Sequence, residues 1–452
     1  MVNRETIDKW SVKYWMAKYL WAKPVFNLYY RKIELNNVQI IPRNKPVILA
    51  PNHQNALMDA MALVTQIPFQ TVFMARADIF RKPIIIKLLT FMKIMPIYRI
   101  RDGISSLGQN EEIFEETTRI LRNHYNPLCL FPEGNHGEKR RLRPLVKGIF
   151  RIALKAQSDY GSKPGIQIIP VGIDYKHYQK FGQSLFVNFG QPIEVSEYWD
   201  MYCENQAVAI NALRDRLADE MRKYMIDIKT DEFYDTYMGL RGFYRPEAFK
   251  RLNITQKSLT NQFIADKKLI DALDKLLERN PGKMKDIDEK FCRYASLRDK
   301  NKLRDWVFRK SPLPIISGLC RLLSALLLSP LFLLGLINNW PHFFIPIKFA
   351  GKIKDPQFRS TAAWGMGIVI QAVYYLILSV LAFVFLPKWW MAAAYIVLMP
   401  LTGLIAYEIR RWFIKGWKII CFSLKNKKSA ELTEALELKN VLTKLLNSLP
   451  LD

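Results

Sequence analysis

The chain has 452 residues, 50% hydrophobic and 24% charged, which excludes a disordered chain and a pure membrane bundle and allows two to three domains. Lys and Arg number 67 against 41 acidic residues, a net charge of +26, so an anionic partner is expected: nucleic acid, an acidic membrane surface or phosphorylated substrates. The five cysteines, at 129, 203, 292, 320 and 421, are scattered, which excludes a disulfide framework and a zinc finger and makes a reducing, cytosol-facing compartment the expectation.

Residues 1–35 carry lysines at 9, 13, 18 and 23 that interrupt every apolar stretch, so no signal-peptide core is present. Trp10, Tyr14, Trp15, Tyr19 and Trp21 stand among those lysines. The mixture suits a membrane-associating helix in the headgroup layer; it equally suits an amphipathic helix packed on the domain. Residues 36–200 then alternate short apolar runs with amphipathic stretches. Strands are expected at Val47–Ala50, Thr71–Ala75, Ile94–Tyr98, Leu128–Phe131, Ile166–Ile173 and Leu185–Phe189, and helices at Glu111–Arg122 and Val146–Gln157. The alternation predicts an α/β sandwich with a mostly parallel sheet. Residues 201–310 read as a charged helical arm broken at Pro281-Gly282.

Residues 311–428 form a membrane region. Trp364–Leu386 and Trp389–Tyr407 are uncharged runs of 23 and 19 residues separated by Pro387-Lys388, and roughly 20 apolar residues span a bilayer core. They predict a tight transmembrane hairpin with Trp389 and Trp390 at the interface. Leu313–Ile337 contains Arg321 and Pro330 and either crosses or enters and returns. Basic residues precede it, follow it around Lys352, and follow the last run from Arg410. All three basic segments lie on the cytoplasmic side only if this first run does not cross, which favours a re-entrant or interfacial segment. Residues 429–452 read as an amphipathic tail.

Four pieces of the 36–200 region carry chemistry. Pro51-Asn52-His53-Gln54-Asn55-Ala56-Leu57-Met58-Asp59 follows the first strand, and α/β folds place their sites at such strand exits. An imidazole oriented by a carboxylate makes a general base; a structural turn histidine is the plain alternative. Met95-Pro96-Ile97-Tyr98-Arg99-Ile100-Arg101 delivers two arginines into a turn, and arginine grips phosphate bidentately. Leu128–Gly134 ends an apolar strand in Pro132-Glu133-Gly134, ahead of the basic cluster Lys139, Arg140, Arg141, Arg143 and Lys147. Part of that cluster can face an anionic ligand, although for most of it a surface charge run is the plainer reading. Pro170 interrupts the apolar run Ile168–Gly172 and suggests an edge strand or a ligand-facing wall.

In order and spacing, these pieces resemble the glycerophospholipid acyltransferase family, the membrane-bound lysophosphatidate and glycerol-3-phosphate acyltransferases. The resemblance covers about residues 40–195. His53 with Asp59 is similar to the family's first motif, Arg99 to the arginine of its second, Phe131-Pro132-Glu133-Gly134 to its third and Pro170 to the proline of its fourth. It implies an acyltransferase in which His53 takes the proton from a hydroxyl attacking an acyl thioester and Asp59 orients His53. Arg99, with Lys147 as a lesser candidate, would hold the acceptor's phosphate, Glu133 and Gly134 would position the glycerol backbone, and Pro170 would shape the acyl pocket. The co-substrate would be acyl-CoA or an acyl carrier protein thioester and the acceptor a glycerol phosphate or lysophospholipid, with no cofactor and no metal; the five histidines show no ligand spacing. The sequence departs from the family pattern in three places. Five residues rather than four separate His53 from Asp59, which on a helix turns the two about 120° apart, so His53 must sit on the loop before the helix. Met92-Lys93 stands where the second motif has glycine, and Asn135-His136-Gly137 stands where Thr-Arg-Ser is common, so that Arg140 or Arg141 would have to compensate. A nucleic-acid binder is set aside because two spans are present and no nucleic-acid module is. A catalytically silent membrane scaffold with the same fold is the remaining alternative class, and another lysophospholipid the alternative acceptor.

Overall fold

The computed structural model describes residues 7–97, 106–123, 126–309, 315–425 and 429–451. The chain divides into two compact units, one of Met1–Ile228, Ser258–Thr260 and Asp355–Thr361, the other of Lys229–Lys257, Asn261–Lys354 and Ala362–Asp452.

The first unit is an α/β domain built on one mixed, mostly parallel sheet of eight strands. The strands are β1 (Tyr30–Asn36), β2 (Val47–Pro51), β3 (Val72–Arg76), β4 (Ile94–Ile97), β5 (Leu128–Cys129), β6 (Gln167–Tyr175), β7 (Gln183–Phe189) and β8 (Ile193–Glu194). Their order is β1-β7-β6-β2-β5-β3-β4, with β8 on β6. β2 is buried along its whole length, as expected of a parallel strand covered on both faces, where an unbroken apolar run replaces alternation. Among the described residues only the β6–β7 and β6–β8 pairs are antiparallel. Helices Leu57–Gln66, Ser106–Arg122 and Gly148–Gln157 are crossovers, and the last buries Ile149, Phe150, Ile152, Ala153, Leu154 and Ala156 in the core.

Three expectations are corrected here. Residues 1–35 do not remain helical to their end: the helical run 12–29 gives way to β1, which pairs in parallel with β7. Arg31, Lys32 and Glu34 hide this strand from a hydrophobicity reading, and charged residues are what an edge strand carries. The charged arm does not begin at 201. Helix Gln206–Tyr224 belongs to the first unit and buries Ala209, Ile210, Leu213, Leu217 and Met221 in its core. Pro170 is not on an edge, because β6 lies between β2 and β7. In β6 the odd-numbered groups bond towards β2 (Gln167 N–H to Pro46, Val171 C=O from Asn52) and the even-numbered ones away from it (Ile166 C=O from Val195, Pro170 C=O from Gly190). The absent N–H of Pro170 therefore faces the point where the neighbour changes from β8, paired to 167–168, to β7, paired from 171 onward. No ladder bond is forfeited there.

The N-terminal run packs by one face and exposes the other. Tyr14, Lys18 and Phe26 are buried, while Trp10, Trp15, Leu20 and Trp21 are exposed. Lys18 Nζ donates to the carbonyls of Ile67 (2.6 Å) and Phe69 (2.8 Å). Lys93 Nζ donates to those of Ile7 and Lys9, each at 2.6 Å.

The second unit is helical. Helices Pro356–Phe385, of which 355–361 belongs to the first unit, and Trp389–Lys425 are long and apolar enough to cross a membrane. Ile315–Leu327 and Ser329–Ala350 are bent by 61° at their junction, beside Pro330. A bend of this size is compatible with one broken span or with a re-entrant segment. Pro341 lies inside the second of these helices and leaves the carbonyl four residues earlier without its helical partner. That carbonyl, of Ile337, accepts from the Tyr374 hydroxyl at 2.8 Å. The side-chain Oδ1 atoms of Asn339 and Asn338 accept from Tyr375 and Tyr395, each at 2.7 Å.

Burial holds the Lys18 and Lys93 ammonium groups down at about 8. Above that pH, and below the ordinary lysine value of about 10.4, the unfolded chain keeps protons that the folded chain has released, so their burial becomes less unfavourable as pH rises. Thermal unfolding in detergent should show a higher melting temperature at pH 9.5 than at pH 8. The rise should shrink in the Lys18→Met/Lys93→Met variant.

Candidate active site

The site is assembled by strand register. β2 and β5 are parallel neighbours with Leu49 opposite Cys129. Four residues further along each strand direction come His53 and Glu133, so the pairing sets the two side by side at the carboxyl ends of the strands. Glu133 Oε1 accepts the His53 backbone N–H at 2.8 Å. Asn52 extends the ladder between β2 and β6: its side chain accepts from Ile173 N–H at 2.6 Å and donates to Ile173 C=O at 3.2 Å.

Helix Leu57–Gln66 begins after His53, so the histidine lies on the preceding loop. The loop wraps around one oxygen. Asp59 Oδ2 faces His53 Nδ1 at 3.0 Å and accepts the backbone N–H of Gln54 (2.8 Å) and of Asn55 (2.7 Å). Asp59 stands in the first turn of its helix, where the dipole favours a negative charge. The extra residue between His53 and Asp59 is absorbed at Ala56, whose φ of 44° and ψ of −128° is a conformation normally left to glycine. Exposure of 16% for the His53 side chain and 1% for Asp59 gives substrate access to the imidazole alone. With Nδ1–H directed to Asp59, the lone pair is on Nε2. The ring is stacked on Phe131, centroids 4.0 Å apart, and meets His136 edge-on at 5.4 Å. Burial, helped by the charges of His53 and Arg143, lowers His136 to about 4, so it is a neutral imidazole at physiological pH.

Glu133 is spent within the protein. One oxygen holds the His53 N–H; the other accepts from Arg143 Nε at 3.1 Å. Burial pushes its carboxyl up, against the pull of His53 and Arg143. It therefore acts on the site as a brace between two loops. Gly134 has a φ of +64°, and a Cβ there would stand 2.9 Å from Val146 Cγ1. Arg140 is buried on Asp174 (2.8 Å) and lies over the Tyr178 ring at 4.7 Å, and Arg141 donates to Ile228 C=O. This corrects both their place in a surface charge run and their candidacy to compensate for the missing arginine. Arg143, which also donates to His136 C=O at 2.9 Å, is the arginine at this position of the site. Lys147 is exposed at the start of helix Gly148–Gln157. Pro170 is buried beside Gly190. Arg99 lies outside the described residues, two positions beyond the end of β4.

Residues 32–174 match the Acyltransferase family. The match covers about a third of the chain and contains the His53–Asp59 pair. The chain is 26% identical over 162 residues to an uncharacterized acyltransferase of Schizosaccharomyces pombe, covering 34% of this chain and 24% of that protein. It is 29% identical over 136 residues to glycerol-3-phosphate O-acyltransferase 1 of Saccharomyces cerevisiae, covering 30% of this chain and 17% of that protein. The acyltransferase match thus spans about a quarter or less of the length of these curated relatives. Among solved structures, the 1-acyl-sn-glycerophosphate (LPA) acyltransferase PlsC from Thermotoga maritima aligns with a TM-score of 0.34 and 18% identity, covering 49% of this chain and 84% of that one.

Gly134→Ala should cost roughly 1–3 kcal/mol of stability for the left-handed backbone, plus a smaller term for the Val146 clash. Gly134→Ala/Val146→Ala should recover only the steric part of the clash, read by denaturant unfolding of the two variants.

Proposed function

We propose that the protein is a membrane-bound O-acyltransferase that moves a fatty acyl group from an acyl thioester to a hydroxyl of glycerol 3-phosphate or lysophosphatidate. The observation that carries the reading is the His53–Asp59 pair at the exit of β2, with the imidazole partly exposed and Asp59 buried. The Saccharomyces cerevisiae relative, named for glycerol 3-phosphate, supports the acceptor class.

The chemistry requires one proton to travel out and back. His53 Nε2 takes the proton of the acceptor hydroxyl as its oxygen attacks the thioester carbonyl. Asp59 Oδ2 stabilises the imidazolium through Nδ1–H. When the tetrahedral intermediate collapses the C–S bond breaks, and His53 returns the proton to the departing thiolate. Ester and free thiol are the products, and no resident cofactor takes part. Arg99, with Lys147 as the lesser candidate, holds the acceptor phosphate, and Pro170 helps shape the acyl pocket. Glu133 and Gly134 set the position of the His53 loop on which the glycerol backbone is presented.

The test is an in vitro assay crossing acyl-CoA and acyl carrier protein donors with glycerol 3-phosphate, lysophosphatidate and lysophospholipids of larger headgroup. Transfer to none of them would leave the silent scaffold. A general base contributes a factor of ~10²–10⁴, so His53→Ala should lose at least a hundredfold in kcat with the fold intact. Arg99→Ala should raise KM for the acceptor by roughly ten- to a hundredfold, the worth of one charged hydrogen bond, and leave KM for the donor unchanged.

The catalytic domain faces the cytoplasm in this reading, where thioesters and glycerol phosphates are found. Single cysteines at Lys352, Lys388 and Lys428, in a background without the five native ones, should label with an impermeant thiol reagent on intact cells at 388 alone. Labelling at 428 from outside would require an odd number of crossings.

A further inference from the structure

Residues 355–361 lie about 180 positions beyond the end of the acyltransferase match in sequence, yet they belong to the first unit. They open helix Pro356–Phe385. Three contacts seat them on the site. The carbonyl of Pro356 accepts from Gln179 Nε2 at 3.1 Å. The Phe358 ring meets His136 edge-on, centroids 4.7 Å apart, and His136 in turn meets His53. The Ser360 hydroxyl donates to Asn55 Oδ1. Ser360 and Asn55 are both fully buried.

Asn55 is the residue through which this last contact acts. Its backbone N–H is the 2.7 Å donor to Asp59 Oδ2, and it immediately precedes the strained Ala56. Its Nδ2 has no partner among the described residues, so Ser360 is the group that holds its side chain. A loop that keeps Ala56 in a glycine-like conformation needs restraint on either side of it. Helix Leu57–Gln66 supplies it on one side and the Ser360–Asn55 bond on the other.

We propose that residues 355–361 complete the active site as positioning residues, Ser360 fixing the Asn55 side chain and so the loop that carries the Asp59–His53 pair, and Phe358 closing the face of His136. Neither residue is assigned a contact with substrate. The opening turn of a helix long enough to cross the membrane is thereby a working part of the catalytic unit. This rests on the acyl-transfer reading of the His53 site.

The test uses the full chain reconstituted in bilayers. Ser360→Ala should lower kcat roughly tenfold, leave KM for donor and acceptor within about twofold, and shift the pH dependence of kcat, because one donor to Asp59 is loosened. Asn55→Ala should do the same. The double variant should be no slower than the slower single, since both break one link. Wild-type kcat in Ser360→Ala, or losses that multiply in the double variant, would overturn the proposal. If Ser360→Ala does not fold, Ser360→Cys and the half-exposed Phe358→Leu replace it, and unchanged kcat in both overturns it. A second readout is independent of turnover. With ¹³C-labelled histidine, Phe358→Leu should move the His136 ring resonances by removing the aromatic edge, and an unmoved His136 would also sink the proposal. An inactive wild type with a His136 shift would instead reject the acyl-transfer reading while keeping the juxtaposition.

Discussion

A single carboxylate oxygen organises the site. Asp59 Oδ2 is met by His53 Nδ1 and by two successive backbone N–H groups, all within 3.0 Å. Hydrogen bonds to a charged group are each worth about 1.5–3 kcal/mol. The cost set against them is the backbone of Ala56, a strain of order 1–3 kcal/mol. The balance favours the wrapped loop, and so the number of residues between histidine and aspartate is not the quantity under constraint. What is constrained is where the oxygen lies relative to the imidazole. One more residue in the loop is accommodated by one unusual φ, with the pair intact.

The second constraint is the sheet. Because β2 and β5 run parallel in register, equal chain lengths beyond each strand arrive at the same height, and His53 meets Glu133 without any long-range search. Glu133 then passes the restraint on to Arg143, and Arg143 to the carbonyl of His136. The loops after β2 and β5 thus share a single buried anion. Removing that anion would leave Arg143 without its carboxylate and the His53 N–H without an acceptor, and a group orphaned in this way costs more than its bond contributed. Strand β6 is tied in by Asn52, whose amide copies a backbone donor and acceptor to Ile173.

The parts of this arrangement that were legible in the sequence are those with a pattern. Buried parallel strands are continuous apolar runs, so the cores of β2, β3, β4, β5, β6 and β7 stood out, as did the membrane-length runs around 364–407. β1 did not, since its charges suit an edge, and neither did the two-residue β8. Helix Gln206–Tyr224 was read as part of an arm because charged residues surround its apolar stripe at 209, 210, 213, 217 and 221. His53, Asp59 and Glu133 were legible as residue types at strand exits, but the use made of Glu133 was not. Asn52, Asn55 and Ser360 gave no signal. Each acts through a side-chain amide or hydroxyl bonded to a distant group, and such bonds leave no period, spacing or composition behind.

The basic surplus has to be apportioned before it can be assigned to a ligand. A net charge of +26 suggests a broad anion-attracting field, yet many of its cations are consumed internally. Arg140 is held by Asp174 and the Tyr178 ring, Arg143 by Glu133, and Lys18 and Lys93 by carbonyls. In the second unit Arg241 and Arg245 share the buried Asp266. These groups stabilise loops and helix contacts, and a buried cation so engaged has little reach into solvent. The proposed phosphate contact therefore has to be sought at individual cations, such as Lys147, exposed at the start of helix Gly148–Gln157, and not in the surplus as a whole.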